Sequence, residues 1–490
     1  MTAAVTTDSP PHSPSPSRAA GAVSGDTDLR ATLRRMQATQ RATKPPTFEQ
    51  RIGHLERLEQ TLLKRKDAIA DAICKDYGNR SRHESFVAEI FITLQAIRHT
   101  KTHLRDWMEP EERQVGWAFI PASAEVHYQP LGVIGIIAPW NYPIQLALAP
   151  LVGALSAGNR AMIKPSELVP ITAELLKDII AETFDPDHVT VVTGGSEVGE
   201  AFSKLPFDHL VFTGSTRVGR AVMRAAAENL TPVTLELGGK SPTIIGEDFA
   251  TDVAAGRIMM GKLFNSGQTC IAPDYVFVPE ARKDAFVSAA REAVARMYPS
   301  LATNPDYTCV VNDKHYARLR SYVDDAKAKG ATVVELSTET LDPVTKKFVP
   351  TLLLDVTDDM LVMQDEIFGP ILPVKTYKEL AEPIDYINDH PRPLALYYFG
   401  YDKTKVDRVL TETVSGGVSV NETMLHVAQD DLPFGGVGPS GMGHYHAFEG
   451  FQTFSKKKPI FYQSRLNATG LLRPPFGKAV DTFLRIVLGK

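Results

Sequence analysis

The sequence predicts an α/β protein built on two doubly wound parallel sheets, because strand-like apolar runs alternate with helical patterns in two successive regions. Between Leu131 and Asp248 the runs GVIGIIAP, RAMIKP, TVVTG and HLVFTG alternate with segments whose apolar residues have helical spacing. After Thr231 a second series begins with PVTLELGGK, PTIIGED, YVFVP, TLLLDV and ILPVKTY. Such alternation favours parallel strands joined by crossover helices.

The N-terminal part of the chain predicts a tail followed by covering helices. Residues 1–28 are rich in Pro, Ser and Ala and lack the apolar stretch of a signal peptide, which predicts a disordered tail. From Leu29 to Arg113 apolar residues recur at three and four positions, as in Ile90, Leu94 and Ile97. We interpret this segment as amphipathic helices packed on the first sheet.

The C-terminal part predicts a tight loop and a short apolar helix. The stretch GGVGPSGMG is too rich in glycine for regular structure and predicts a loop near a site or an interface. Residues 476–488 are apolar but are interrupted by Lys478, Asp481 and Arg485, and they are too short to cross a bilayer. They predict a docked helix, with contact to a membrane surface as the less favoured alternative.

Composition indicates a large globular protein with a small-molecule partner. At about 150 residues per domain, 490 residues suggest roughly three domains. The net charge of −5 comes from interspersed acids and bases, so no nucleic-acid surface is expected. Three scattered cysteines exclude a disulfide framework and favour a reducing compartment, the cytoplasm. No histidine spacing indicates a metal site, and we expect the cluster His426, His444 and His446 to line a substrate entrance or an interface.

Three segments that follow strands of the first region predict a cofactor cleft. Parallel sheets bind ligands beyond the carboxyl ends of their strands, which brings 139–141, 164–167 and 214–219 to one edge. Gly214, Ser215 and Gly219 span the start of a helix, where backbone N–H groups and the helix dipole can hold a phosphate. Lys164 and Glu167 offer a donor and an acceptor for a ribose diol, although an ordinary surface pair is the alternative.

Three further residues have the properties of a nucleophile, a base and an oxyanion donor. Cys270 follows a helical pattern that stops at 265–267, so its thiol lies in a turn; a buried, inert cysteine is the alternative. Glu236 ends a strand before two glycines and can serve as a general base, unless it pairs with Lys240. Asn141 supplies a neutral amide donor for an oxyanion, unless it only forms a turn.

These segments together resemble the aldehyde dehydrogenase superfamily. PWNYP, KPSE, FTGST, LELGGKSP, GQTC and EIFGP occur in the family's order, and the similarity runs from about residue 30 to residue 460. GQTCIAPDY and the ending NETMLHVAQDDLPFGGVGPSGMGHYH resemble the class 3 branch. The segment RPPFGKAV is similar to that of bacterial coniferyl aldehyde dehydrogenases, a subgroup of the family.

The resemblance implies two Rossmann-like domains and a small antiparallel extension that pairs across subunits. We expect an NAD(P)-binding domain at 29–235, interrupted by a bridging segment at about 115–130, and a catalytic domain at 236–412. A return and oligomerisation segment at 413–466 and a C-terminal extension at 467–490 would follow. A homodimer is expected, with a tetramer as the alternative.

The resemblance also implies oxidation of an aldehyde to a carboxylic acid through a cysteine thioester. Cys270 would be the nucleophile, Glu236 the general base, and Asn141 would form the oxyanion hole with the Cys270 backbone N–H. The cofactor is expected to be NAD, with NADP as the alternative, and its binding residues are Trp140, Lys164, Glu167, Gly214, Ser215, Gly219, Leu237, Glu366 and Phe368. An aromatic aldehyde such as coniferyl aldehyde is the expected substrate, and a long-chain aliphatic aldehyde is the alternative. A cysteine hydrolase without a dinucleotide and a non-catalytic binding protein are the rival classes.

Overall fold

A computed structural model describes residues 22–467 and 469–489 of the chain. Its helices are α1 Ala22–Ala42, α2 Phe48–Tyr77, α3 Arg82–Ser85, α4 Ile92–Met108, α5 Gln145–Ser156, α6 Pro170–Thr183, α7 Ser196–Ser203, α8 Thr216–Ala227, α9 Thr251–Leu263, α10 Lys283–Met297, α11 Asp313–Ala328, α12 Leu361–Gln364, α13 Ala381–Asn388, α14 Lys403–Glu412, α15 Ala447–Thr453 and α16 Lys478–Leu488. Its strands are β1 Glu111–Arg113, β2 Ser123–Pro130, β3 Val133–Ile137, β4 Arg160–Lys164, β5 Val189–Val191, β6 His209–Thr213, β7 Val233–Glu236, β8 Pro242–Ile245, β9 Tyr275–Pro279, β10 Thr332–Glu335, β11 Thr351–Leu354, β12 Ile371–Tyr377, β13 Ala395–Phe399, β14 Gly417–Val420, β15 Gly441–Met442 and β16 Ser455–Tyr462.

Two large sheets confirm the predicted fold class. The first has the order β15-β7-β6-β3-β4-β5 and the second has the order β10-β11-β12-β9-β8-β13-β14. In each sheet the strands run parallel except for one edge strand, β15 or β10, which is antiparallel to its neighbour. The central strands are apolar on both faces because helices cover both sides of a parallel sheet.

Glycines allow helices and strands of the first sheet to approach closely. Gly158 has a φ of +88° and follows α5, as the sequence predicts for a residue that ends a helix. A Cβ atom on Gly135 of β3 would lie 2.6 Å from the ring of Phe207, so the strand can pack there only without a side chain. These two glycines fix the turn after α5 and the packing of the central strand.

A small antiparallel sheet of order β1-β2-β16 completes the fold, as the family resemblance implies. Its two longer strands pair over their whole length, from Ser455 opposite Pro130 to Tyr462 opposite Ser123. Strand β16 is an edge of this sheet, and the side chains of Phe461 and Tyr462 at its end are about half exposed. The sheet therefore presents an unpaired edge with aromatic side chains.

Two elements extend across the expected domain boundaries. Helix α1 begins at Ala22, inside the predicted tail, because Leu29, Leu33 and Met36 anchor it in the core and a packed helix extends at little cost. Residues 1–21 of the predicted tail lie outside the described residues. Strand β14 belongs to the second sheet, beyond the predicted catalytic boundary at 412, because it pairs with β13.

Helix α16 at the C-terminus is only partly docked. Val480 is buried and the Phe483 ring lies 6.0 Å from the ring of Trp117, but Ile486 and Leu488 are exposed. The prediction of a docked helix therefore holds for one side of it alone. Within residues 22–467 and 469–489, no helix combines the length and the apolar character needed to span a bilayer.

A buried ion pair connects the N-terminal helices to the end of β3. The side chains of Arg80 and Glu89 are fully buried, and Arg80 Nη1 lies 3.6 Å from Glu89 Oε1. Glu89 Oε2 accepts hydrogen bonds from the backbone N–H groups of Ile144 and Gln145 at the start of α5. Arg80 Nη1 also donates to the backbone carbonyl of Asn141, at 2.5 Å. The pair thus holds the backbone of the PWNYP segment and of the first residues after it.

We expect Arg80→Met to destabilise the protein strongly. The substitution keeps much of the volume but leaves Glu89 buried without its cation, which costs about 3–5 kcal/mol in the free energy of unfolding. Urea unfolding followed by tryptophan fluorescence measures the change. Arg82→Met is the matched control, because Arg82 pairs with Asp67 and Asp71 at the surface and its loss should cost less than about 1 kcal/mol. Equal losses in both variants would contradict the role of the buried pair.

Candidate active site

A cavity of about 940 Å³ lies between the two large sheets, at the carboxyl ends of strands of the first sheet. This is the edge where the sequence predicts a cleft. Of the predicted site residues, the cavity wall contains Trp140, Asn141, Gly214, Ser215, Leu237, Cys270, Glu366 and Phe368. Among the described residues, four other predicted site residues are not part of the cavity wall: Lys164, Glu167, Gly219 and Glu236.

The turn before Cys270 has an unusual backbone conformation. Asn265, Ser266 and Gly267 follow α9 with φ angles of 53°, 54° and 74°, a left-handed region that non-glycine residues rarely adopt. A Cβ atom on Gly267 would lie 2.4 Å from the carbonyl oxygen of Gly369, so the turn touches the EIFGP segment directly. Strained turns of this kind persist where surrounding contacts hold them, and here the turn brings the thiol to the cavity wall.

Gln268 holds this turn through three hydrogen bonds. Its Nε2 donates to the carbonyls of Asn265, at 2.9 Å, and Cys309, at 3.0 Å, while its Oε1 accepts from the Val311 backbone N–H. The Asn141 side-chain amide donates to the Gln268 carbonyl at 3.2 Å. The PWNYP and GQTC segments, 127 residues apart in sequence, are therefore in direct contact.

Cys270 is partly buried at the cavity wall and has two carboxyl groups nearby. Burial raises the pKa of its thiol to about 12, and the nearby carboxyl groups of Glu366 and Glu236 act in the same direction. A thiol with this pKa is protonated at neutral pH. It becomes a nucleophile only when a base removes its proton.

Glu236 is a buried carboxyl group without a partner. It ends β7, its side chain is 2% exposed, and neither carboxyl oxygen has a hydrogen bond. Burial alone raises its pKa well above the usual value, which makes the ionised carboxylate a stronger base than an exposed one. The alternative of a pair with Lys240 does not hold, because Lys240 Nζ contacts Asp274 and donates to the Val362 carbonyl at 2.7 Å.

The start of α8 forms the wall where the sequence predicts phosphate binding. Ser215 caps the helix, because its Oγ accepts from the Val218 N–H, and the first turn of a helix leaves backbone N–H groups free for an anion. Gly219 does not reach the cavity; a Cβ atom there would lie 2.6 Å from Leu237 Cδ2. Its role is close packing of α8 against the strand end that carries Leu237.

The EIFGP segment contributes Glu366 and Phe368 to the cavity wall. The rings of Phe368 and Trp140 lie 5.3 Å apart, edge to face, and Phe368 has a positive φ of 50°. Glu366 Oε1 is buried without a hydrogen bond, and burial raises the pKa of this carboxyl to about 8. A buried acceptor without a partner beside a cavity of this size fits a ligand that brings hydroxyl donors, as the ribose of a dinucleotide does.

Lys164 and Glu167 form an ion pair with an Nζ to Oε2 distance of 2.8 Å. The side chain of Lys164 is almost completely buried, whereas that of Glu167 is 41% exposed. The pair therefore differs from an ordinary surface pair, in which both side chains are exposed.

The histidines predicted to line an entrance or an interface form no metal site in the described part of the chain. No group of three His, Cys, Asp or Glu side chains is arranged there to hold a metal ion. His426 Nδ1 instead shares a hydrogen bond of 2.9 Å with Ser419 Oγ.

Several site residues were not predicted from the sequence. Arg217, Arg220 and Arg318 line the cavity, and the sequence gives no signal for them, since arginine on a helix is ordinarily a surface residue. Gln268 lies within the GQTC motif, yet its role as the centre of a hydrogen-bond network depends on contacts with Cys309 and Val311 that only the fold creates.

Comparison with known proteins identifies relatives over most of the chain. Residues 10–460 match the aldehyde dehydrogenase family. A probable coniferyl aldehyde dehydrogenase of Pseudomonas aeruginosa is 55% identical over 92% of this chain and 94% of its own, and a coniferyl aldehyde dehydrogenase of Pseudomonas sp. strain HR199 is 48% identical over 96% and 98%. A dimeric NADP-preferring aldehyde dehydrogenase of Rattus norvegicus is 38% identical over 89% and 95%.

A solved structure also has the same fold. The substrate-bound state of AldH from Staphylococcus aureus superposes with a TM-score of 0.89 and is 39% identical, covering 94% of this chain and 99% of the other. The matched family region contains the cavity, the Cys270 turn and the buried carboxyl of Glu236. The chain therefore belongs to the aldehyde dehydrogenase family and is an NAD(P)-dependent enzyme that oxidises an aldehyde.

Proposed function

We propose that the chain oxidises coniferyl aldehyde or a related aromatic aldehyde to the carboxylic acid through a thioester on Cys270. The observation that carries the chemistry is the strained turn that brings Cys270 to the cavity wall within the influence of Glu236, a buried carboxyl without a partner. The substrate class rests on the two coniferyl aldehyde dehydrogenases that are 48% and 55% identical to the chain.

In the first half-reaction the Cys270 thiol loses its proton to solvent in the cavity, and the sulfur forms a bond to the aldehyde carbon. The carbonyl oxygen becomes an oxyanion, which the Asn141 amide and the Cys270 backbone N–H stabilise. The amide has two N–H donors, and one of them already binds the Gln268 carbonyl, which leaves the other for the oxyanion. When bound, NAD(P) supplies the two-electron oxidant that converts this adduct to the thioester.

In the second half-reaction Glu236 removes a proton from a water molecule. The water oxygen forms a bond to the thioester carbon, the carbon–sulfur bond breaks, and the electron pair returns to Cys270. The products are the carboxylic acid and a cysteine ready for the next cycle once Glu236 has released its proton. Burial raises the pKa of Glu236 and so makes its ionised form a stronger base toward water than an exposed carboxylate.

The dinucleotide would lie across the cavity. The first turn of α8 at Gly214 and Ser215 would hold the phosphates, Glu366 would accept a hydrogen bond from a ribose hydroxyl, and Trp140 and Phe368 would enclose the nicotinamide. Leu237 and Gly219 keep the helix and the wall in place. Lys164 and Glu167, just outside the wall, would reach the adenosine ribose.

We propose NAD as the preferred cofactor, with NADP as the alternative. The half-exposed carboxylate of Glu167 would repel the ribose phosphate of NADP. Lys164 neutralises part of this charge, and one relative at 38% identity is named as NADP-preferring. Glu167 therefore favours NAD, and the neighbouring charge of Lys164 keeps NADP as the alternative.

We also propose a homodimer located in the cytoplasm. The unpaired edge of β16, with Phe461 and Tyr462 half exposed, offers a surface on which a second copy could pair, and the rat relative is named as dimeric. Cys74, Cys270 and Cys309 are all free thiols, which favours a reducing compartment.

A long-chain aliphatic aldehyde is the second candidate substrate. The exposed apolar residues of α16, Ile486 and Leu488 among them, would suit an enzyme that meets its substrate at a lipid surface. This helix favours the aliphatic candidate, because an aromatic substrate dissolved in water does not require contact with a lipid surface.

The test of the proposed function is NADH formation with coniferyl aldehyde, benzaldehyde and a long-chain aldehyde. We expect the highest kcat/KM for coniferyl aldehyde and loss of activity to the background rate in Cys270→Ala, since Cys270 is the one of the three cysteines that lines the cavity. Cys74→Ala is the matched control and should keep full activity, because Cys74 does not line the cavity. A preference for the aliphatic chain would overturn the aromatic assignment, and turnover by Cys270→Ala would overturn the mechanism.

The proposed position of Glu167 makes a second prediction. Glu167→Gln removes one negative charge beside the ribose, and the Kd of NADP should fall about fivefold relative to that of NAD, or ~1 kcal/mol. Quenching of tryptophan fluorescence by each dinucleotide measures the two constants. Glu174→Gln is the control, because this exposed glutamate pairs with Lys177 on the surface of α6. An unchanged ratio of the two Kd values would place Glu167 away from the ribose phosphate.

A further inference from the structure

Tyr445 is a buried tyrosine beside the active site to which the reaction described above gives no role. Tyr445 is 1% exposed, and its hydroxyl makes no hydrogen bond of good geometry with the described residues. The hydroxyl of Thr213 and both carboxyl oxygens of Glu236 are also buried without partners. Buried polar atoms are nearly always hydrogen bonded, so several orphans in one place indicate a site that is completed during function.

The fold brings Tyr445 to Glu236 through the return of the chain to the first sheet. Strand β15 pairs with β7, with Gly441 opposite Glu236, and the Leu237 N–H donates to the Ser440 carbonyl at 3.1 Å. The chain then passes Gly443 and buries the ring of Tyr445 in the core that contains α5. Tyr445 therefore lies four residues after Gly441, the residue that pairs with Glu236.

Thr213 brings the Tyr445 hydroxyl close to Glu236. Thr213 ends β6 on the cavity wall, its Cα lies opposite that of Glu236 in β7, and its hydroxyl interacts with that of Tyr445. Burial raises the pKa of Tyr445 well above the usual value, and Glu236 and Cys270 add to the rise. Tyr445 thus remains protonated and keeps an O–H group to donate.

Glu236 needs such a donor to act as the base in hydrolysis of the thioester. It must be ionised to remove a proton from water, but burial disfavours the ionised form and no donor stabilises it in this structure. A hydrogen bond to the ionised carboxylate offsets part of that cost. Lys240 donates a hydrogen bond to Asp274, and it could donate to Glu236 only if that bond broke.

We propose that Tyr445 is a positioning residue that donates a hydrogen bond from its hydroxyl to the ionised carboxylate of Glu236 during hydrolysis of the thioester. The inference rests on the proposed role of Glu236 as the general base. The tyrosine keeps its proton throughout. Glu236 takes the proton from water, the water oxygen binds the thioester carbon, and the carbon–sulfur bond breaks to restore Cys270.

The test is Tyr445→Phe, which removes the hydroxyl and leaves the ring. A hydrogen bond to a charged group is worth about a ten- to hundredfold change in rate, so steady-state kcat should fall by that factor. Because hydrolysis is slowed and acylation is affected less, a burst of NADH should precede the slow steady state, and the acyl-enzyme should accumulate on intact mass measurement. The melting temperature should stay the same or rise, since the hydroxyl has no partner to lose.

Two comparison variants separate the outcomes. Tyr377→Phe removes a buried hydroxyl that donates to the Ile245 carbonyl at 2.6 Å, far along the second sheet, and should lower the melting temperature without a burst. Glu236→Gln should abolish steady turnover. If Glu236→Gln retains turnover, the proposed base is wrong; if it loses turnover while Tyr445→Phe keeps the wild-type kcat, only the role of Tyr445 is wrong. A Tyr445→Phe variant that is slow without a burst, or that fails to fold, would also contradict the proposal.

Discussion

The backbone carbonyl of Asn141 is the acceptor on which the geometry of the site depends. Arg80 Nη1, Asn265 Nδ2 and the hydroxyl of Tyr77 all donate to it, at 2.5, 3.2 and 3.3 Å. These donors come from the N-terminal helical region and from the turn before Cys270. One buried carbonyl thus connects the three parts of the chain that must keep a fixed distance from one another.

This arrangement holds Asn141 and Cys270 in place at the cavity wall, close to buried carboxyl groups. Burial raises the pKa of Cys270, Glu236 and Glu366 and so disfavours the charged form of each group. The buried Arg80–Glu89 pair holds the segment from Asn141 to Gln145 through hydrogen bonds to its backbone.

The sequence predicts the parts of the molecule that have short-range patterns. The alternation of strands and helices, the glycine that ends α5 and the meeting of PWNYP with FTGST at one edge follow from periodicity and from the geometry of parallel sheets. Arg80 and Glu89 were not predicted, because a charged residue on a helical pattern normally faces solvent. Tyr445 was not predicted either, because its position depends on the pairing of β15 with a strand about 200 residues earlier.

The central claim is that the acyl group is carried by Cys270, and mass measurement of Glu236→Gln tests it most directly. The variant is incubated with coniferyl aldehyde and NAD, quenched in acid and digested, with NADH measured in parallel. We predict about one NADH per active site and the mass of the acyl group on the peptide that contains Cys270, because the thioester forms but is not hydrolysed. NADH formation with an unmodified Cys270 peptide, or with the acyl group on Cys74 or Cys309, would contradict the account.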